Sequence, residues 1–157
     1  MSDRKVYFPL FVDLNEKQIL VFGGGKIATR RILSLLDFGG DIKVVAPVCT
    51  NEILELSIQK LLIHEKRCYI EGEIQLPYMV LAATNDSNVN QQIYHECKQK
   101  GILVNIASDQ TKSDFFFPGL AIEEPIVIGV TASGTDHKKA KKITEQIKEM
   151  LKGERQV

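Results

Sequence analysis

Gln18-Ile19-Leu20-Val21-Phe22-Gly23-Gly24-Gly25-Lys26-Ile27-Ala28-Thr29-Arg30-Arg31-Ile32-Leu33 joins a short apolar run to an amphipathic one through three residues without side chains. The pattern reads as a strand turning sharply into a helix. Gly23 permits the tight turn, Gly25 lets main chain approach an anion with no Cβ in the way, and Ala28 stands where a third small residue packs helix on strand. The helix start offers unpaired N–H groups and the positive end of a dipole. Such an elbow is where a dinucleotide pyrophosphate binds.

Outward from the elbow, strand and helix signals alternate, as a doubly wound parallel sheet requires. The first helix is expected to end at Gly39-Gly40. Ile42–Ala46 is β-branched and short, Pro47 stops it, and Thr50 is an N-cap for a helix over 51–59. A third strand is expected at Leu61-Leu62-Ile63. Tyr78–Ala83 is apolar at every position, which marks a central strand covered on both faces. A helix over 88–100 closes at Gly101, and 102–106 is the fifth strand. The fold class is therefore α/β, a Rossmann-type doubly wound parallel sheet of order 3-2-1-4-5.

The 157 residues are 44% hydrophobic and 25% charged, which suits one main core and excludes a disordered tail protein. Twenty basic residues balance twenty acidic ones, so no global field recruits nucleic acid or a membrane surface. Cys49, Cys68 and Cys97 are scattered and have no histidines at ligand spacing; they read as reduced thiols, and no structural metal is expected. Asp3, Arg4, Lys5 and Asp13 interrupt the apolar residues of the N-terminus, and no run reaches membrane-spanning length. The expectation is a cytoplasmic protein.

Ligands of open α/β sheets bind outside the carboxyl ends of the strands, where the strand order reverses. Three loops converge there and form the candidate cofactor set: Gly23, Gly24, Gly25, Lys26 and Ile27; Ala46, Pro47 and Val48; Thr84, Asn85 and Asp86. The acidic residue that grips an adenosine ribose about 20 residues beyond such glycines is absent, because the second strand ends in Ala46-Pro47. That position does not decide between NAD and NADP. Asn85-Asp86-Ser87 reads equally as a helix cap and as a cofactor contact.

Taken together, Tyr7–Leu14, Val21–Ala28, Val44–Pro47, Ala82–Asn90 and Val104–Ile106 followed by Phe115-Phe116-Phe117-Pro118 resemble the precorrin-2 dehydrogenase family of siroheme biosynthesis. The likeness runs from about Tyr7 to Leu151. It implies NAD-dependent oxidation of the tetrapyrrole precorrin-2 to sirohydrochlorin by a homodimer, which in some members also inserts ferrous iron. Members carry an aspartate three residues after the asparagine of the fifth strand. Counting from Asn105 places Ser108 in that slot, with Asp109 one place later, so both are candidate catalytic residues beside the reading of 108–111 as a polar turn.

The resemblance further implies that residues 1–112 form the NAD-binding domain and residues 113–157 a dimerisation strand and helix, truncated relative to the family. Ile126–Val130 is the strand expected to pair across a two-fold axis. A helix over 137–152 presents Ala140, Ile143, Ile147, Met150 and Leu151 as its apolar stripe. Ser133, Lys138 and Lys139, with the neighbouring Lys141 and Lys142, are candidate contacts for the eight carboxylates of the tetrapyrrole; a solvated helix face is the alternative. The rival to the enzyme is an NAD(H)-sensing regulatory dimer on the same fold, without tetrapyrrole chemistry.

Overall fold

The computed structural model describes residues 7–154, so the first six residues of the expected NAD-binding domain and the last three of the dimerisation segment lie outside the described residues. The elements run β1 (Gln18–Phe22), α1 (Lys26–Leu36), β2 (Asp41–Val45), α2 (Asn51–Ile58), β3 (Ile63–Glu65), β4 (Met79–Ala82), α3 (Ser87–Lys100) and β5 (Leu103–Ile106), then a short 3-10 turn at Gln110–Lys112. These belong to a compact unit spanning Val12–Phe116. The rest, β6 (Gly119–Glu123), β7 (Ile126–Val130) and α4 (His137–Glu154), forms a second unit together with residues 7–11.

In the larger unit five parallel strands stand in the order β3-β2-β1-β4-β5, as the alternation in the sequence requires. All four residues of β4 are buried, consistent with a strand covered on both faces. Phe22, Val80, Ala82, Val104 and Ile106 lie on one face and pack with Ile93 and Cys97 of α3 and with Ile74. By the two-residue period of a strand, Val21, Val44 and Leu81 point to the opposite face, where α1 buries Ala28, Ile32 and Leu35.

The register fixes where the loops emerge. Phe22 is level with Val45 on one side and with Ala82 on the other, and Ala82 is level with Ile106. Four strands thus end in one row, and the chain leaves that row at Gly23, Ala46, Ala83 and Ala107.

Local chemistry sets the boundaries. Thr50 caps α2 by accepting from the Ile53 amide at 3.4 Å, and Gly101 closes α3 in the left-handed conformation. The third strand begins two residues later than 61–63. Lys60 turns with φ 61°, the Leu61 amide bonds back to Leu56, and Leu62 is spent as a buried anchor, so pairing starts at Ile63 opposite Lys43. The first helix ends at Leu36 and not at Gly39-Gly40, because residues 37–39 leave it through tighter turns that end with Gly39 at φ 76°.

In the smaller unit β7 pairs antiparallel with β6, Ala121 facing Ile128. Pairing within the chain therefore occupies one edge of Ile126–Val130. α4 packs against this hairpin: Thr144 and Leu151 are buried and Ala140 and Ile147 half-buried, whereas Ile143 is 37% and Met150 57% exposed. The buried line is shifted to one side of the expected stripe because Thr144 fits under Gly119, where a Cβ would stand 2.2 Å from its hydroxyl oxygen.

Candidate cofactor site

The three glycines of the elbow are there for three different reasons. Gly23 adopts φ 108°, and a Cβ on it would stand 2.2 Å from the carbonyl oxygen of Ala83. That combination admits no other residue. A Cβ on Gly24 would meet Cys49 Sγ at 2.4 Å and Val48 O at 2.6 Å, since the loop after β2 lies directly against it. Gly25 is unlike both: its φ is an ordinary −82°, and nothing lies within 4 Å of where its Cβ would be. The protein's own packing does not ask for glycine at 25; space over the main chain does.

That space is part of an open cavity of about 290 Å³ lined by Gly25, Lys26, Ile27, Ala83, Thr84, Asn85, Ala107 and Ser108. Gly25 is the N-cap of α1 and contributes no side-chain cap, and no acidic residue stands in the first turn. The first amides of the helix are therefore left for an outside acceptor, and the positive end of the helix faces it. Lys26 and Ile27 are exposed at the same place.

One wall is built on a buried amide. Asn90, 1% exposed, accepts from the Thr84 amide at 3.2 Å and from the Thr84 hydroxyl at 2.7 Å. It donates to the Thr84 carbonyl at 3.1 Å and to Ser108 Oγ at 3.4 Å. All four valences of one side chain tie the loop after β4 to the loop after β5. On the far side of the elbow, His64 Nε2 lies 2.9 Å from the Ala46 carbonyl and 3.2 Å from Cys49 Sγ. The carbonyl bond places the proton on Nε2. Burial pushes the Cys49 thiol up from its ordinary value.

The structure thus brings Gly25, Lys26, Ile27, Thr84, Asn85 and Ser108 together around one space. Gly23 and Gly24 back it, Ala46 is buried behind them, and Pro47 and Val48 are exposed beyond Gly24, outside the cavity lining. Asp86 caps α3, accepting from the amides of Asn88 at 2.8 Å and Val89 at 3.3 Å. Asp109 also lies outside the lining. Its carboxylate accepts from the Thr111 hydroxyl at 2.6 Å and the Thr111 amide at 3.0 Å, with Lys112 at 3.6 Å, and these bonds hold it below the usual carboxylate range. Ser133, with φ 54°, precedes α4, and Lys138 and Lys139 are exposed on its first turn; all three belong to the smaller unit.

Sequence reasoning passed over Asn90 and Thr29. A polar residue on the inner face of a helix was the available signal in both cases. Among the described residues no group of three or more His, Cys, Asp or Glu side chains is arranged to hold a metal ion, and no helix is long and apolar enough to cross a membrane.

A parallel sheet of this order with an uncapped glycine elbow at its switch point defines a Rossmann-type dinucleotide-binding domain. The chain belongs to the family whose model, described as "Putative NAD(P)-binding", matches residues 10–119, and within it to the precorrin-2 dehydrogenase and siroheme synthase group. It is 42% identical over 144 residues to a "Probable multifunctional siroheme biosynthesis protein HemA" of Ruminiclostridium josui, covering 91% of this chain and 28% of that one. To a siroheme synthase of Nitrosococcus oceani it is 34% identical, over 82% of this chain and 27% of that one. The chain thus spans less than a third of the length of these relatives. Among solved structures, "SirC, precorrin-2 dehydrogenase" superposes with a TM-score of 0.79 at 28% identity, covering 92% of this chain and 71% of that one. Membership supports a nicotinamide dinucleotide as the cofactor of this domain.

Proposed function

We propose that the chain oxidises precorrin-2 to sirohydrochlorin with NAD as hydride acceptor. The observation that carries the reading is the open space over Gly25, in a cavity whose other wall is Thr84, Asn85 and Ser108. The first amides of α1 and the Lys26 side chain would hold the diphosphate, and the loop Ala46-Pro47-Val48 would stand on the adenosine side.

Bound NAD supplies the hydride acceptor, so the protein's work is to orient two flat molecules and let a proton depart. Thr84 and Asn85 line the cavity and would hold the nicotinamide end. Ser108 presents a hydroxyl whose oxygen is held by Asn90, leaving its proton free to donate to a substrate carboxylate or a water. Among the described residues no carboxylate lines the cavity, and the proton released with the hydride passes to solvent. Insertion of iron needs an acceptor for the pyrrole protons. Asp109 is engaged by Thr111 outside the cavity lining and is not assigned as that acceptor. Ser133, Lys138 and Lys139 are the polar and basic groups of the smaller unit suited to bind carboxylates, and the chain works as a homodimer.

Precorrin-2 and NAD added anaerobically to purified protein should yield sirohydrochlorin absorbance and NADH in equal amounts. NAD uptake without either product would overturn the enzymatic reading and favour the sensor. Ser108→Ala should lower the rate, whereas Asp109→Ala should leave it near that of the wild type.

A further inference from the structure

Two threonines that no contact with a ligand would single out sit behind the elbow. Thr29, 4% exposed, lies in α1, and Thr50 is the N-cap of α2. Their hydroxyl oxygens are 2.8 Å apart. Thr29 Oγ1 also lies 3.0 Å from the carbonyl oxygen of Gly25, Thr50 Oγ1 accepts from the Ile53 amide at 3.4 Å, and the Thr50 amide donates to the Gly24 carbonyl at 2.9 Å.

The proton positions follow by elimination. A carbonyl only accepts, so the single Thr29 proton goes to Gly25; the bond between the hydroxyls must then be donated by Thr50. A one-way chain results, from the Ile53 amide through the Thr50 and Thr29 hydroxyls to the Gly25 carbonyl. Each bond polarises the next. Both glycine carbonyls are therefore gripped from the same side, Gly24 by the Thr50 amide and Gly25 by the Thr29 hydroxyl and amide. In a planar trans peptide the N–H points opposite to the C=O. Fixing these two carbonyls turns the amides of Gly25 and Lys26 the other way, and both residues line the cavity.

We infer that the Thr29–Thr50 hydroxyl pair is a positioning device for the cofactor diphosphate: it sets the direction of the two amides that receive the anion and locks the elbow to the loop on the adenosine side. Neither threonine touches the ligand. The pair substitutes rigidity of main chain for the ribose-binding carboxylate that the end of β2 lacks, since donors already aimed need no reorganisation when the anion arrives.

The inference rests on the dinucleotide reading above, and one titration separates the two. Thr29→Val keeps the shape and removes the hydroxyl. Its dissociation constant for NAD, measured by calorimetry, should rise about tenfold, the loss of one well-aligned hydrogen bond at the upper end of its usual worth. KM for NAD should rise more than kcat falls, and Thr29→Ser should restore affinity. Should the valine variant not fold, Thr50→Gly, which remains a tolerated N-cap for α2 and removes the relay hydroxyl without supplying another donor, should show the same loss of affinity. A wild-type protein that takes up no NAD overturns the dinucleotide reading. Wild-type binding with unchanged affinity in the folded variant, whatever its melting temperature, overturns the clamp alone.

Discussion

At the scale of single residues, the elbow separates what folding demands from what a ligand demands. Gly23 combines φ 108° with main chain of Ala83 at contact, so Gly23→Ala should destabilise the fold by about 2–4 kcal/mol in urea titration. Gly25 has ordinary dihedrals and open space around its absent Cβ. Gly25→Asp should therefore fold and melt within a few degrees of the wild type, yet lose NAD binding, because the side chain and its charge would occupy the proposed seat of the diphosphate. Equal NAD affinity in calorimetry would remove the pyrophosphate from that place.

The elements show how polar side chains hold a sheet edge and a long crossover. Between β3 and β4 the chain runs without regular structure and is clipped to α3 by Glu96, 7% exposed. Its carboxylate accepts from the Tyr69 hydroxyl at 2.6 Å, the amides of Gly72 at 3.1 Å and Ile74 at 2.9 Å, and Lys100 at 2.7 Å. Burial pushes this carboxyl up, but the bonds from Lys100, Tyr69, Gly72 and Ile74 outweigh it, and the net direction is down. A carboxyl whose pKa is depressed by folding adds stability that is complete above its unfolded value, about 4.3, and is lost as pH falls through the folded value. Glu96→Gln should cost about 2–4 kcal/mol near neutrality. The difference between the two proteins in urea midpoint should shrink below about pH 4.3; a constant difference through the acid range would assign the loss to packing. At the other end of the sheet Asp114 and Ser113 accept from the amides of Val104 and Ile106 at 3.0 and 2.9 Å, so two side chains stand in for a sixth strand on the exposed edge of β5.

Such clips explain what was legible in the sequence and what was not. The five parallel strands were readable because apolar runs, glycines and caps are local signals: Thr50 and Gly101 sit where the pattern put them. β3 was misplaced by two residues because its boundary is set by a turn at Lys60 and by the anchor Leu62, neither of which periodicity registers. β6 was not foreseen, since Gly119–Glu123 becomes a strand only by pairing with β7. Of the site, the elbow and Thr84-Asn85 were visible as loops at a known edge of a known topology, and Ser108 entered as one of two candidates by counting from Asn105. What separates Ser108 from Asp109 is the short turn at Gln110–Lys112, which draws the Asp109 carboxylate to Thr111 and leaves the serine at the cavity.

Across the whole chain the two units differ in how well they close on themselves. The unit spanning Val12–Phe116 buries side chains on both faces of its sheet. In the smaller one the fully buried apolar residues among those described are Ala121 and Leu151, whereas Phe8, Leu10, Phe11, Ile122, Ile126, Ile143 and Met150 are all exposed. A hairpin and one helix of this size do not supply a core of their own, and exposed apolar groups concentrated on one small unit are the mark of a surface that another chain covers. The proposed homodimer would meet that need with one isologous interface, since β7 has no strand on its outer edge among the described residues and α4 turns Ile143 and Met150 outward. The wild-type protein should accordingly sediment as a dimer, with a melting temperature that rises with protein concentration. Changing both Ile143 and Met150 to Glu should shift it toward monomer and lower the melting temperature. NAD binding should be retained, because the elbow and its clamps lie in the other unit. A wild type that sediments as a monomer at every concentration, or a double variant as dimeric as the wild type, would show that this face is not where the copies meet.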